Sequence, residues 1–550
     1  MSKSLLFRVR SLRPRAGLAL SLVLGAVLLS ASAPTAGATG GLGDPVFPSL
    51  GNTGYRALRY DLAFDYRADT RTVDGTAVLT VRPDRVLARL ELDALGLTVR
   101  AVRVDGRAAG FATHDEKLTV TPARPFLPGS VTRLTVEYTA DPRARLPHTG
   151  WVPTPDGFAV AGQPKSAHTV FPCDDHPSDK ARFTIAVTAP DALLGVANGE
   201  LTATERLGDG RTTRRYVSRE PMATELVQVS VGDYTVRERT GPHGLPLRDV
   251  VPTARAAELE PALALTPGQL AWAEAHLGPF PFETYGLLPA DTDDPAAFAF
   301  TGLETQTLTL YKPNFLRQAE PAIGSHMMHE VVHSWFGNSV SPARWSDLWL
   351  SEGHAEFYEL VYRYEHGWPE ADGSTTLTDR MRLLYGLGDQ WRHDSGPVAS
   401  PTAADLFGGQ RYKGGALVLF ALREKVGAAA FERIERVFLD THRYGNATTE
   451  DYVRTASAVS GQDLRGFLDD WLYGLRTPPM PGHPDWVVGP VGQAGQAGAA
   501  PGGQVPAASV PGAPVPGAPV PGAPVSGAPA PEGGAAGAGG PVGARGSGTL

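Results

Sequence analysis

Residues 326 to 338 read HMMHEVVHSWFGN, and three histidines and one acid fall within its first eight positions. On a helix, His329 and His333 stand at i and i+4, one turn apart on one face, where two imidazoles can grip one cation. Glu330 lies between them, beside the place of a cation-polarised water. His326 is near the same face. As a third ligand from the same helix it would have to span two turns to His333, too far for a tetrahedral site, so it is read as a supporting or structural residue. The next helical stretch, SDLWLSEGHAEFYELVYRYEHG at 346–367, sets Glu352, Glu356 and Glu359 along one stripe. Eighteen residues separate His333 from Glu352, enough for one loop and an antiparallel return. A solvated acidic face is the plain alternative for such a stripe. Two histidines and a glutamate, with water in the fourth position, form a catalytic zinc donor set, so Glu352 is the expected third ligand. Glu356, one turn on, is expected to hold a ligand histidine by its free ring N–H.

The 550-residue chain is long enough for two or more domains. Between 55 and 240, segments such as TAVLTVRP (76–83), VTRLTVEYTA (131–140) and ARFTIAVTAP (181–190) alternate and are rich in β-branched residues. That predicts an N-terminal antiparallel β-sandwich-like domain over 45–240. From 241 to 484 the period becomes helical, at 256–278, 321–337, 346–366, 415–441 and 462–475. The fold class predicted is therefore multidomain α+β, with the histidines in the mainly helical second domain. From 485 to 550 the chain is Pro/Gly/Ala-rich, with repeats of P-G-A-P-V and almost no charge, which predicts a disordered tail or wall-associated spacer.

The first 38 residues resemble a secretion signal. Basic residues precede the apolar run AGLALSLVLGAVLLSASA (16–33), and AGA (36–38) offers a cleavage site. Cleavage would remove five positive charges and no acid from a net charge of −8, leaving −13. An acidic, secreted chain is a poor partner for nucleic acid or anionic membranes. The single cysteine, Cys173, leaves no internal disulfide and is expected to be buried and structural.

HEVVHSWFGNSVSPARWSDLWLSEGHA resembles the gluzincin aminopeptidases of the M1 family in its H-E-x-x-H, eighteen-residue spacing and following Glu, and in W-F-G-N and D-L-W-L-x-E-G. The resemblance covers most of 50–480 and implies a thermolysin-like catalytic domain with one Zn²⁺ per chain on His329, His333 and Glu352. TGLETQT (301–307) resembles the family's G-x-M-E-N segment, with Leu303 for Met and Thr305 for Asn; Glu304 matches the acid that binds a substrate's free α-amino group. RYKGGALVLFALR (411–423) resembles the Y-E-K-G-A segment, which makes Tyr412 the oxyanion donor. In GQPKSAHTVFPCDDHPSDKARF (162–183), Gln163 stands where the family has a second amine contact. His354 stands where the family often has Phe. The large helical C-terminal domain of long members has no counterpart here, which implies a more open cleft.

The resemblance, with the signal-like N-terminus, thus implies an extracellular metallopeptidase that removes N-terminal residues from peptides with a free amine, Glu330 acting as base. A metalloendopeptidase and an inactive secreted peptide-binding protein are the rival readings. Side-chain preference and oligomeric state are not encoded in any motif.

Overall fold

The computed structural model describes residues 41–292, 294, 298 and 300–492. The signal-like segment 1–38 and the repeats of 494–550 lie outside the described residues. No helix among the described residues is long and apolar enough to cross a membrane.

The N-terminal half is built on an eight-stranded sheet. Its strands run in the order Glu200–Arg206, Arg211–Met222, Ala181–Pro190, Tyr55–Arg67, Thr72–Pro83, Thr132–Ala140, Thr98–Val104, Arg107–Ala108. Neighbours are antiparallel except Tyr55–Arg67 beside Ala181–Pro190, which are parallel. Alternation sets the register. In Thr72–Pro83, Val73, Gly75, Ala77, Leu79 and Val81 are buried while the residues between them are partly exposed. A four-stranded sheet (Leu194–Ala197, Val229–Gly232, Phe158–Val160, Trp151–Pro153) and a three-stranded one (Leu90–Asp93, Lys117–Thr121, Gly110–His114) complete this half. Leu92, Val120, Phe158, Val196 and Val231 from these smaller sheets share one core with the large sheet. Cys173 lies in that core, and burial pushes its thiol well up from the usual range.

Among the described residues, the second half holds ten α-helices: α1 (Ala256–Leu263), α2 (Thr266–Leu277), α3 (Glu320–Val332), α4 (Trp349–Glu365), α5 (Leu377–Gly386), α6 (Gly388–Ser395), α7 (Gly415–Val426), α8 (Ala428–His442), α9 (Thr449–Ser460) and α10 (Arg465–Tyr473). The periodic stretches 256–278 and 415–441 are each split in two. The second break falls at Gly427, whose φ of 83° is closed to most side chains. A small sheet (Leu287–Pro289, Thr309–Tyr311, Gly302–Leu303) bridges the halves, because its Leu288, Leu303 and Leu310 pack into the N-terminal core. The packed chain also runs past the predicted start of the tail: Trp486 is buried against Phe420 and Tyr385.

Several donors bind the halves together, among them three to main-chain carbonyls. Lys180 donates to the carbonyls of Asn338 (2.6 Å) and Ser339 (2.9 Å), Asn446 donates to the Pro177 carbonyl (2.7 Å), and Gln306 N–H donates to the Leu226 carbonyl (3.0 Å).

α4 and α7 touch backbone to backbone at two glycines. A Cβ on Gly353 would lie 2.9 Å from Gly415 Cα, and one on Gly415 would lie 2.7 Å from Gly353 Cα. Gly353→Ala is therefore expected to cost about 1–3 kcal/mol through overpacking. Gly466→Ala, with open space around its Cβ inside α10, should instead be neutral or stabilising by up to about 1 kcal/mol. Denaturant unfolding of the two variants checks this; equal effects would refute the close-approach argument.

Candidate active site

α3 and α4 lie antiparallel, as their cross-contacts show. Ser351 meets His333, Glu352 meets both His329 and His333, Glu359 meets His329, and Arg363 reaches back to Ser325. α3 ends at Val332, short of the predicted 337, and His333 caps it. The helix stops because Gly337, at a φ of 125°, turns the chain back: its N–H donates to the Val340 carbonyl (2.9 Å), and the Phe336 carbonyl accepts from His333 Nδ1 (3.0 Å).

The predicted donor set is brought together. Glu352 Oε2 lies 3.3 Å from His329 Nε2 and 3.4 Å from His333 Nε2, and all three side chains are at least 95% buried. The Nδ1 atoms are occupied. His329 Nδ1 is 3.1 Å from the Glu359 carboxylate, and His333 Nδ1 is 3.0 Å from the Phe336 carbonyl and from Ser351 Oγ. A carbonyl and a carboxylate only accept, so both Nδ1 atoms carry the proton. Two Nε2 lone pairs then face one anionic oxygen, an arrangement that repels unless a cation lies between them. The residues therefore fit a divalent ion. Against the penalty of burial, Glu352 is held down at about 2 by positive charge on the two rings, so without a metal ion protons on Nε2 take the place of the cation.

The histidine-holding acid is Glu359, not Glu356. Of the two, only Glu359 hydrogen-bonds His329, because two helical turns from Glu352 carry it to the Nδ1 side of the ring. Glu356 lies near it, beside Lys413 and Arg380, with its carboxyl raised by burial and by Glu359. The sequence carried both acids in one stripe and gave no means of choosing the register.

Glu330 is buried, and its Oε2 has no hydrogen-bond partner. Burial, and then the Glu304 carboxylate, push it up to about 8. Its Oε1 lies 3.5 Å from His326 Nε2, so His326 touches the acid and is not part of the His329–His333–Glu352 group. Burial pushes His326 down to about 4, which keeps that ring neutral. Gly302 leaves room for Glu330: a Cβ there would meet Glu330 Oε1 at 2.6 Å.

Glu304 follows the strand Gly302–Leu303, and Gln163 comes from the other half of the chain. They meet: Gln163 Nε2 donates to Glu304 Oε1 at 2.7 Å, and both are buried. Asn338 Nδ2 donates to the Glu304 carbonyl at 2.7 Å, which ties this acid to the turn after α3. Tyr412 rides on a wide π-turn, Gln410–Gly414, with its ring 5.8 Å from that of His329 and nearly parallel to it. Burial, together with the Glu352 and Glu304 carboxylates, raises its hydroxyl well above the usual range, so it remains a donor. Arg411, which the sequence reading passed over, pins this turn. Its buried guanidinium donates to the carbonyls of Pro397 (2.6 Å) and Ser395 (2.7 Å) and to Asp405 (2.8 Å).

His354 points away from the site. Its ring stacks on Phe336 at 3.9 Å, and its Nε2 lies 2.9 Å from the Glu435 carboxylate, which also accepts from Tyr452 Oη (2.6 Å). His354 therefore packs beneath the site and does not line the cleft.

If Glu359 orients His329, Glu359→Gln should weaken zinc binding by about 10–100-fold, as loss of a ligand's orienting partner does. Glu356→Gln should have the smaller effect. Competition with a chromogenic chelator measures both; a larger loss in the Glu356 variant would refute the assignment.

The model of the peptidase M1 N-terminal domain matches residues 56–226, and that of the peptidase family M1 domain matches 268–471. A zinc metallopeptidase of this family from Deinococcus radiodurans, solved with a Tyr-Ser-Ala substrate, superposes with a TM-score of 0.70 at 28% identity over 80% of this chain and 99% of its own. Leukotriene A-4 hydrolase of Xenopus laevis is 28% identical over 75% of this chain and 70% of its own length. Aminopeptidase A of Gloydius brevicauda is 29% identical over 57% of this chain; the match spans about a third of that relative, 34%. The two domain models together cover more than half of the chain, in the order in which its β-rich and helical halves occur, and the chain belongs to peptidase family M1.

Proposed function

We propose that this chain is a zinc aminopeptidase that hydrolyses the first peptide bond of peptides with a free N-terminus. The observation that carries the reading is the Glu304–Gln163 pair. It sets a buried carboxylate beside the His329–His333–Glu352 group, close enough for its charge to raise Glu330. A buried anion there is matched by a substrate's ammonium group and by little else.

His329, His333 and Glu352 would hold one Zn²⁺ per chain, which would supply Lewis-acid polarisation and acidify a water molecule. Glu330 takes the proton from the attacking water and returns it to the departing amine. Its raised basicity suits a group that must gain and lose a proton near neutrality. Tyr412 donates its hydroxyl proton in a hydrogen bond to the oxyanion, charge that exists only as the bond breaks. Glu304 uses one oxygen for Gln163 and keeps the other as an acceptor for the ammonium. Fixing the N-terminus limits reach to one bond, so positioning itself contributes to rate. Each cycle releases one amino acid. The peptide-bound Deinococcus relative supports peptides as substrates.

The signal-like N-terminus supports secretion, with residues 45–240 and 241–484 as the two domains of the exported enzyme and the remainder as an extracellular, wall-directed tail. The buried Glu304 disfavours the endopeptidase reading. The complete set of His329, Glu330, His333, Glu352 and Tyr412 disfavours the inactive binding protein.

Leucine 4-nitroanilide should be cleaved, its N-acetylated twin should not, and a zinc chelator should abolish the reaction reversibly. Tyr412→Phe should lower kcat by about 10²–10³-fold with KM little changed. Glu304→Gln should raise KM as well. Equal turnover of the free and acetylated substrates would rule out the aminopeptidase reading.

A further inference from the structure

A second cluster of metal-binding side chains lies wholly in the N-terminal half. Glu116 sits in the turn between the strands Gly110–His114 and Lys117–Thr121. His148 is in the loop before the strand Trp151–Pro153, and His168 is in the short 3-10 turn Ala167–Thr169. One ligand atom from each lies within 4.8 Å of the other two. His148 Nε2 is 2.9 Å from Glu116 Oε1, and His168 Nε2 is 3.7 Å from Glu116 Oε2. The two rings are 5.3 Å apart and steeply inclined, so both can aim at one point.

His168 is the informative residue. Its side chain is 0% exposed, and its Nε2 has no hydrogen-bond partner. Its other nitrogen, Nδ1, is 2.6 Å from Asp175 Oδ2, which also accepts from the His168 backbone N–H (3.1 Å). Asp175 is held in turn by Thr224 Oγ1 (2.8 Å) and faces away from the cluster's centre. A carboxylate that takes the Nδ1 proton leaves a lone pair on Nε2, the form in which histidine binds metals. His148 repeats the pattern more weakly, with Nδ1 3.4 Å from Ser166 Oγ. A buried nitrogen without a hydrogen-bond partner, 3.7 Å from a carboxylate oxygen, suits a cation held between the two.

We propose that Glu116, His148 and His168 bind a second divalent transition-metal ion, of the zinc class, separate from the ion of the peptidase site. Two imidazoles and one carboxylate are a zinc-type donor set. Ligands at tetrahedral zinc lie about 3.3 Å apart, given bonds of about 2.0–2.1 Å. The observed 2.9 and 3.7 Å bracket that spacing, so small side-chain rotations complete the site. With Asp175 behind it, the cluster's two carboxylates balance the charge of a divalent ion. Glu116 is 33% exposed, which gives the ion a route from solvent and room for a water as fourth ligand. The ion ties together three segments distant in sequence, and the third lies five residues after Gln163.

The test counts metal on the full chain after stripping with a chelator, by equilibrium dialysis against Zn²⁺ and with Co²⁺ as an absorbing probe. The wild type should bind two equivalents, His148→Gln one and His333→Gln one, with distinct cobalt spectra for the two singly loaded variants. Glu116→Gln, at a partly exposed position, should weaken the second equivalent by at least 10-fold even if His148→Gln misfolds. One equivalent in the wild type that survives His148→Gln and disappears in His333→Gln would overturn the proposal, as would two equivalents in both the wild type and His148→Gln. One equivalent lost in His148→Gln and kept in His333→Gln would support this site and overturn the peptidase-site reading instead.

Discussion

One carboxylate oxygen, Glu352 Oε2, faces two imidazole nitrogens across 3.3 and 3.4 Å, and the helical half of the protein is arranged to keep it there. Buried charge is costly unless it is paired, so the three side chains cannot drift apart without loss. Their approach requires α3 and α4 to lie close and antiparallel. That packing is fixed from behind by the contact of Gly353 with Gly415. It is fixed from the sides by Glu359 on His329, and by the Phe336 carbonyl and Ser351 on His333. A lower tier supports Phe336 in turn: the His354 ring stacks on it, and Glu435 and Tyr452 hold His354. Chemistry at the surface of α3 thus depends on hydrogen bonds two layers beneath it.

The second constraint is an excess of negative charge at the junction of the two halves. Glu304 and Glu330 come within electrostatic reach of each other, and burial, with that repulsion added, pushes Glu330 up to about 8. Such a site favours cations of two kinds, a metal ion and an ammonium group, and aligns them along one line of acids. Gln163 donates to the Glu304 carboxylate from the opposite half, so this pair exists only when the halves are docked. Lys180, Asn446 and Gln306 supply that docking through main-chain carbonyls, which do not depend on the identity of the residues they belong to.

Local periodicity made the β-then-α order legible, because alternation and helical spacing are properties of neighbouring residues. Single helices were less so: 256–278 and 415–441 each read as one element and fold as two. A positive-φ glycine breaks the second, while the period of the pattern continues across it. The His329–His333–Glu352 group was legible because the two histidines share a helix turn and Glu352 follows at a telling distance. Glu359 was not separable from Glu356. Both lie on the same stripe, and only the register of α4 against α3 decides which one meets the His329 ring. Arg411 was silent for a similar reason, since its partners are carbonyls that carry no side-chain signature.

The sequence by itself determined the donor types, their spacing along two helices and the segments that resemble an amine anchor and an oxyanion donor. These are short-range facts, written in residues a few turns apart. The tertiary structure alone decided that Gln163 reaches Glu304 across 141 residues, that Glu359 orients His329, and that His354 faces the core and not the cleft. It also brought Glu116, His148 and His168 from three unconnected loops to one point. Contacts of that kind depend on the sum of many strand registers and helix crossings, and no local pattern records that sum.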